Sequence, residues 1–169
     1  NARIRADGLA DRCRAEVVDY RQLRVDEPFD KIVSVGMVEH VGAHHLREYF
    51  ATAFRLLRPG GAFLNHGIGD LPGRPPKKDR GFVRTYVFPD SDLPSLPRIF
   101  EAAEGVGFEG RDLESLREHY AMTLRHWVRR LEANHAAAAA EVGEATYRVW
   151  RLYMAGCAHW FARGWISVY

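Results

Sequence analysis

Apolar residues in this chain follow two rhythms. Residues 31–35 (KIVSV) and 62–68 (AFLNHGI) are short, nearly unbroken apolar runs flanked by aspartate and glycine, and they predict buried strands. Between them, residues 44–57 set Leu46, Phe50, Ala53 or Phe54, and Leu57 on one face of an amphipathic helix, which the RPGG of residues 58–61 stops. Strand, helix and strand with short connections predict a βαβ unit and a parallel sheet. Upstream, residues 15–18 (AEVV) predict a shorter strand closed by the polar DYRQ, and VDEPFD predicts a loop. The first eight residues read as the last turns of a helix ending at Gly8.

From residue 70 to 94 the pattern lapses into a loop-like insertion rich in proline and in Arg74, Lys77, Lys78, Arg80 and Arg84. Beyond it the spacing predicts a helix over 95–103, a strand near 108–113, and two long helices over 118–140 and 144–163. The first long helix runs into the helix-favouring alanines 136–140. The second carries Tyr147, Trp150, Tyr153 or Met154, Cys157 and Phe161 at helical spacing. The closing GWISVY has the β-branched and aromatic character of a strand. The fold class is therefore α/β.

At 169 residues, 47% hydrophobic and 27% charged, the chain suffices for one soluble domain or a large piece of one. A net charge of +2 gives no ground for a nucleic-acid partner. The two cysteines, Cys13 and Cys157, form no C-x-x-C, and the histidines show no ligand spacing, so no metal is assigned. No apolar run approaches the roughly 18 residues that span a bilayer.

The chemistry starts at residues 33–40, VSVGMVEH, where Glu39 and His40 follow directly on a buried strand and Gly36. α/β sheets bind ligands at the carboxyl edge of their strands, and His66 stands at the end of the next predicted strand. Read alone, Glu39 is also compatible with a solvated turn, His66 with a core histidine, and Tyr120 with helix packing. His40 reads as the structural member of its pair, and Cys157 as a core residue.

FDKIVSVGMVEHVG, LLRPGGAFLNHGIG, TYVFPDSDLPSL, LESLREHYAMTLRHW and YMAGCAHWFARGWISVY, in this order, resemble the cyclopropane fatty acid synthase and mycolic acid methyltransferase family. The resemblance implies a class I S-adenosylmethionine-dependent methyltransferase, with a Rossmann-like sheet and flanking helices. Its strands run 3-2-1-4-5-7-6, so residues 15–18 would be strand 3 and residues 31–35 strand 4, unpaired with each other. On this reading residues 1–169 are the carboxy-terminal portion of one domain, truncated before strand 3, with the Gly-rich cofactor loop upstream. The family usually has phenylalanine where Val38 stands and threonine where Gly67 stands.

The implied reaction moves a methyl group from S-adenosylmethionine to a cis double bond of an unsaturated acyl chain, and a cyclopropane ring closes once a proton is lost. Glu39, His66 and Tyr120 match the positions that hold a bicarbonate base. Asp19, Tyr20 and Gln22 match the adenine loop, and Val35, Gly36 and Met37 the methionine side. The implied partner is a phospholipid or a carrier-bound acyl chain, met in the cytoplasm or at the inner membrane surface. A methyl- or methylene-branching relative and a non-catalytic fragment share these residues and stay open.

The basic residues 74–84 suit an anionic bilayer, at about 1 kcal/mol per charge near the surface. Replacing Arg74, Lys77, Lys78 and Arg80 by serine is expected to abolish co-sedimentation with anionic vesicles at low salt. Raising salt is expected to weaken the binding of the parent chain.

Overall fold

The computed structural model describes residues 1–73 and 81–169. A short helix, α1 (Ala2–Ala6), opens the chain, and the first regular strand is β1 (Phe29–Val35). Helix α2 (Leu46–Leu56) then leads into β2 (Leu57–His66), which lies parallel to β1. Lys31 stands opposite Ala62, and the register runs on through Val35 opposite His66. The RPGG segment lies inside β2 as an irregularity: Gly60 takes φ +75°, the register slips between Phe29 and Lys31, and Arg58 pairs with Asp30.

Side chains alternate across this pair, as strand geometry requires. Phe63 packs on Tyr49 and Phe50 of α2, and the Tyr49 hydroxyl lies 2.6 Å from Ser34 Oγ and 2.7 Å from Asn65 Oδ1. Val33, Val35 and Leu64, on the other face, are more than half exposed. The buried face of α2 is Leu46, Tyr49, Phe50, Ala53 and Leu56. It is rotated from the predicted stripe, leaving Phe54 outside, while Leu57 has already entered β2.

Past His66 the chain continues as β3 (Ile68–Asp70), followed by the short helix α3 (Phe82–Tyr86) and by α4 (Leu96–Glu104), which packs on α2. Helices α5 (Arg117–Ala133), α6 (His135–Val142) and α7 (Glu144–Ala162) come next, with α5 against α7. The last strand, β4 (Ile166–Val168), lies antiparallel to β3, and Gly67 and Tyr169 extend the ladder with two 3.1 Å backbone bonds. Leu116 N–H donates to Val168 O at 2.9 Å on the other edge of β4.

Four expectations are corrected. Residues 15–18 make no strand: Val17 is fully exposed, and without a ladder its β-branched character has nothing to pair with. They make no ladder with β1. Residues 108–113 also form no strand, and a cleft of about 1050 Å³ separates them from β2. The helix predicted over 118–140 breaks at Asn134, whose side-chain amide donates to Arg130 O at 2.7 Å and competes with the helical ladder. The 70–94 loop contains α3, while its basic cluster Arg74, Lys77, Lys78 and Arg80 lies outside the described residues.

Two apolar cores result. One joins Val38, Leu46, Tyr49, Phe50 and Ile99, and the other joins Ala121, Leu124, Cys157, Phe161, Ile166 and Val168. Between β1 and α2, residues 38–40 form a 3-10 turn whose Val38 belongs to the first core. The exposed face of β1 is the weak side. Isolated 169-residue chain is expected to self-associate, and Val33→Lys with Val35→Lys to raise its monomer fraction in light scattering without altering its circular dichroism.

Candidate active site

The site is built where β1 and β2 end side by side. Gly36 follows Val35 with φ +65°, a left-handed turn that glycine takes without steric cost, and its N–H donates to His66 O at 2.8 Å. This turn sends the chain back under the strand ends, so the 3-10 turn of residues 38–40 carries Glu39 inward. Glu39 is 6% exposed, and its Oε2 is buried with no hydrogen-bond partner. A solvated turn carboxylate is ruled out.

A second strap holds this turn from outside. Asp92 N–H donates to Glu39 O at 3.1 Å, Ala43 N–H donates to Asp92 Oδ2 at 3.3 Å, and the His40 ring meets Phe88 edge-on at 5.1 Å. His40 thus packs against the segment that holds the turn. His66 ends β2 opposite Val35, and its neighbour Gly67 abuts the Glu39 carboxylate. Tyr120 sits in the first turns of α5, edge-on to Phe161 at 4.9 Å. Its phenol is pushed up by burial first, then by Cys157 and by the charge of Glu39, so the two groups lie within electrostatic reach. No hydrogen bond joins Glu39, His66 and Tyr120 among the described residues.

Beside Tyr120 opens a cavity of about 200 Å³, walled by Phe88, Trp127, Trp150, Tyr153 and Met154. Trp127 and Trp150 are each about 40% exposed, so the cavity reaches the surface. It is an apolar, aromatic slot of the kind that shields a reactive carbon from water. Cys157 lies buried in its wall.

The residues anticipated for the cofactor fall on two segments, the 3-10 turn Tyr20–Gln22 with its cap Asp19, and the end of β1 with the turn after it. Asp19 caps the 3-10 turn Tyr20–Gln22, and its carboxylate is gripped by Arg21 at 2.6 Å. Hydrogen bonds from Arg21 hold that carboxyl down at about 2. Tyr20 meets Tyr49 edge-on at 5.8 Å, which ties this turn to α2. Val35 is 65% exposed, Met37 packs on the Val38 core, and open space lies beside Gly36, where a Cβ would have only Glu39 Oε1, at 4.0 Å. A backbone turn at strand ends is where α/β sheets take their ligands.

The profile of the mycolic acid cyclopropane synthetase family matches residues 1–169. The chain belongs to that family. It is 47% identical over 170 residues to a probable fatty acid methyltransferase of Pseudomonas putida, an alignment covering 99% of this chain and 43% of that protein. Among solved structures, the cyclopropane synthase MmaA2 from Mycobacterium tuberculosis superimposes with a TM-score of 0.86 at 29% identity, covering 99% of this chain and 63% of that one. The mycolic acid cyclopropane synthase CmaA1, complexed with SAH and CTAB, gives 0.79 at 37% identity, covering 88% and 55%. The chain spans about half the length of the curated relatives it matches, or less. Its fold is that of the methyltransferase sheet with flanking helices.

Sequence reasoning missed Tyr49 and Tyr153. Tyr49 sits on the buried face of α2, and three residues from Leu46 is a helical spacing that could have placed it there. Burial drives its phenol up to about 12, with the Glu39 charge adding to the rise and the Ser34 hydrogen bond opposing it. Because the folded value exceeds the unfolded one of about 10, the contribution to stability is complete below pH 10 and is lost as pH climbs toward 12. Denaturation midpoints are expected to fall over that window. Tyr49→Phe is expected to flatten the fall and to cost about 1 kcal/mol at neutral pH through its lost hydrogen bonds.

Proposed function

We propose that this chain forms the catalytic rim of an S-adenosylmethionine-dependent methyltransferase that converts cis double bonds of fatty acyl chains into cyclopropanes. The observation that carries the reading is Glu39, a buried carboxylate with an unpaired acceptor oxygen after the end of a parallel strand, whose charge reaches Tyr120 in the wall of an aromatic slot open to the surface. S-adenosylmethionine, when bound, supplies an electrophilic methyl group. Val35, Gly36 and Met37 offer open backbone for its methionine side, and Tyr20 and Gln22, with the Asp19–Arg21 pair, offer polar groups for its adenosine side.

An alkene that takes up an electrophilic carbon becomes a carbocation, and it closes to a three-membered ring only if a base removes a proton before water arrives. The aromatic side chains of Phe88, Trp127, Trp150 and Tyr153 exclude water from that carbon and face a developing positive charge with their π-systems. For the base we assign bicarbonate. Glu39 Oε2 is an acceptor without a donor, which fits the hydroxyl of a bicarbonate ion. His66 and Tyr120 are the donors available for its oxygens, and the raised Tyr120 phenol stays protonated and able to donate at neutral pH.

The acyl chain would enter through the gap between Trp127 and Trp150, carried on a phospholipid or a carrier protein. The test is mass spectrometry of products formed by the intact protein from cis-monounsaturated phosphatidylglycerol and from an acyl-carrier substrate. A product heavier by one methylene, with the double bond consumed, is expected. Glu39→Gln is expected to lower the chemical step by about 10²- to 10⁴-fold while calorimetry shows cofactor affinity unchanged. Turnover of that variant close to the parent value would overturn the assignment.

A further inference from the structure

The ring of Phe88 stands between the two halves of the site. On one side it walls the aromatic slot, edge-on to Tyr153 at 5.7 Å and to Trp150 at 6.1 Å. On another it meets His40, the residue after Glu39 in the 3-10 turn. The backbone around it is tied down. Phe88 N–H donates to Val83 O at 2.8 Å, which closes α3, and four residues on Asp92 N–H donates to Glu39 O at 3.1 Å. Residues 88–92 are therefore a short span with its aromatic end in the slot wall and its amide end on the Glu39 turn.

The Phe88 ring is packed unequally. Where it borders the cavity of about 200 Å³ it lacks the close contacts that a packed interior supplies. An acyl chain lying in the slot provides them and holds the ring toward His40. His40 itself is exposed and is no part of the slot wall, so a chain in the slot touches Phe88 and not His40. Glu39 and His40 share one turn of three residues, and a change in the seat of the His40 ring moves the stem of the carboxylate with it. We propose that Phe88 is a positioning residue that couples filling of the aromatic slot to the seat of the Glu39 turn. The carboxylate is then held in its working place when an acyl chain is present. This rests on the reading of Glu39 as the group that orients the base and of the slot as the acyl site.

The test uses the intact protein, with lysophosphatidylglycerol carrying one cis-monounsaturated chain as the probe. Tryptophan fluorescence follows binding, since Trp127 and Trp150 wall the slot. Histidine-labelled NMR follows the His40 ring, whose signal is identified by its loss in His40→Ala. In the parent this signal is expected to shift as the probe binds. In Phe88→Leu, which keeps an apolar side chain in the wall, the probe is expected to bind and the His40 signal to stay in place. Turnover supplies a second arm. His40→Ala, at an exposed residue outside the slot, is expected to lower kcat about 10-fold in the parent and to change nothing further in Phe88→Leu, as coupled residues do in a double-mutant cycle. Three results would each make Phe88 a wall residue only and overturn the proposal. They are a bound probe with the His40 ring unmoved in the parent, an equal shift in Phe88→Leu, and equal kcat losses from His40→Ala in both backgrounds. A slot that takes up no probe would overturn the proposal and the acyl reading together. If the probe binds and the intact protein forms no cyclopropane, the functional reading fails instead, and the His40 signal still decides what Phe88 does.

Discussion

The parallel pairing of β1 with β2 is the constraint on which the site depends. It sets Val35 beside His66, so that both chains leave the sheet at one height, with the Gly36 N–H clasped to His66 O. The Tyr49 hydroxyl pins this register from the helix side, one residue before each strand end, by meeting Ser34 and Asn65 together. A slip of one residue would reverse the faces of β1 and put Ser34 and Ile32 on the wrong side of the sheet. Glu39 and Gly67 would then lose their common edge.

Much of this was legible because it is local. β1, α2, β2, α4, α7 and the closing strand follow from periodicity and punctuation in short windows, and their observed bounds lie within a few residues of the predicted ones except at β2, which starts at Leu57 and runs through the RPGG segment. Glu39 and His66 were legible because strand ends in α/β sheets are where ligands bind. The errors fall where a partner, not a pattern, decides. Residues 15–18 have the composition of a strand but no ladder, and residues 108–113, with Glu109, Arg111 and Asp112, take no regular structure. Asn134 broke a helix that the adjoining alanines would have carried through.

The contacts of Tyr49 and Gly67 lay beyond sequence reading for a related reason. A tyrosine in an amphipathic stripe looks like one more core residue until its hydroxyl is seen to reach two strands at once. A glycine ending a strand run looks like punctuation until the space over it is found filled by residues from the preceding crossover. Both meanings live in contacts about 15 to 30 residues apart in the chain.

The vacant Glu39 oxygen also bears on how the protein responds to what it binds. An acceptor removed from water and left without a donor costs free energy, typically about 1–3 kcal/mol, and the native state carries that cost for as long as the acceptor has no donor. Any small donor that settles there relieves it, so its apparent affinity includes a part that belongs to the protein's own folding equilibrium. Occupancy of the site is therefore expected to raise resistance to heat. Resistance to heat, read across a series of small oxyacids, would report which of them the carboxylate accepts.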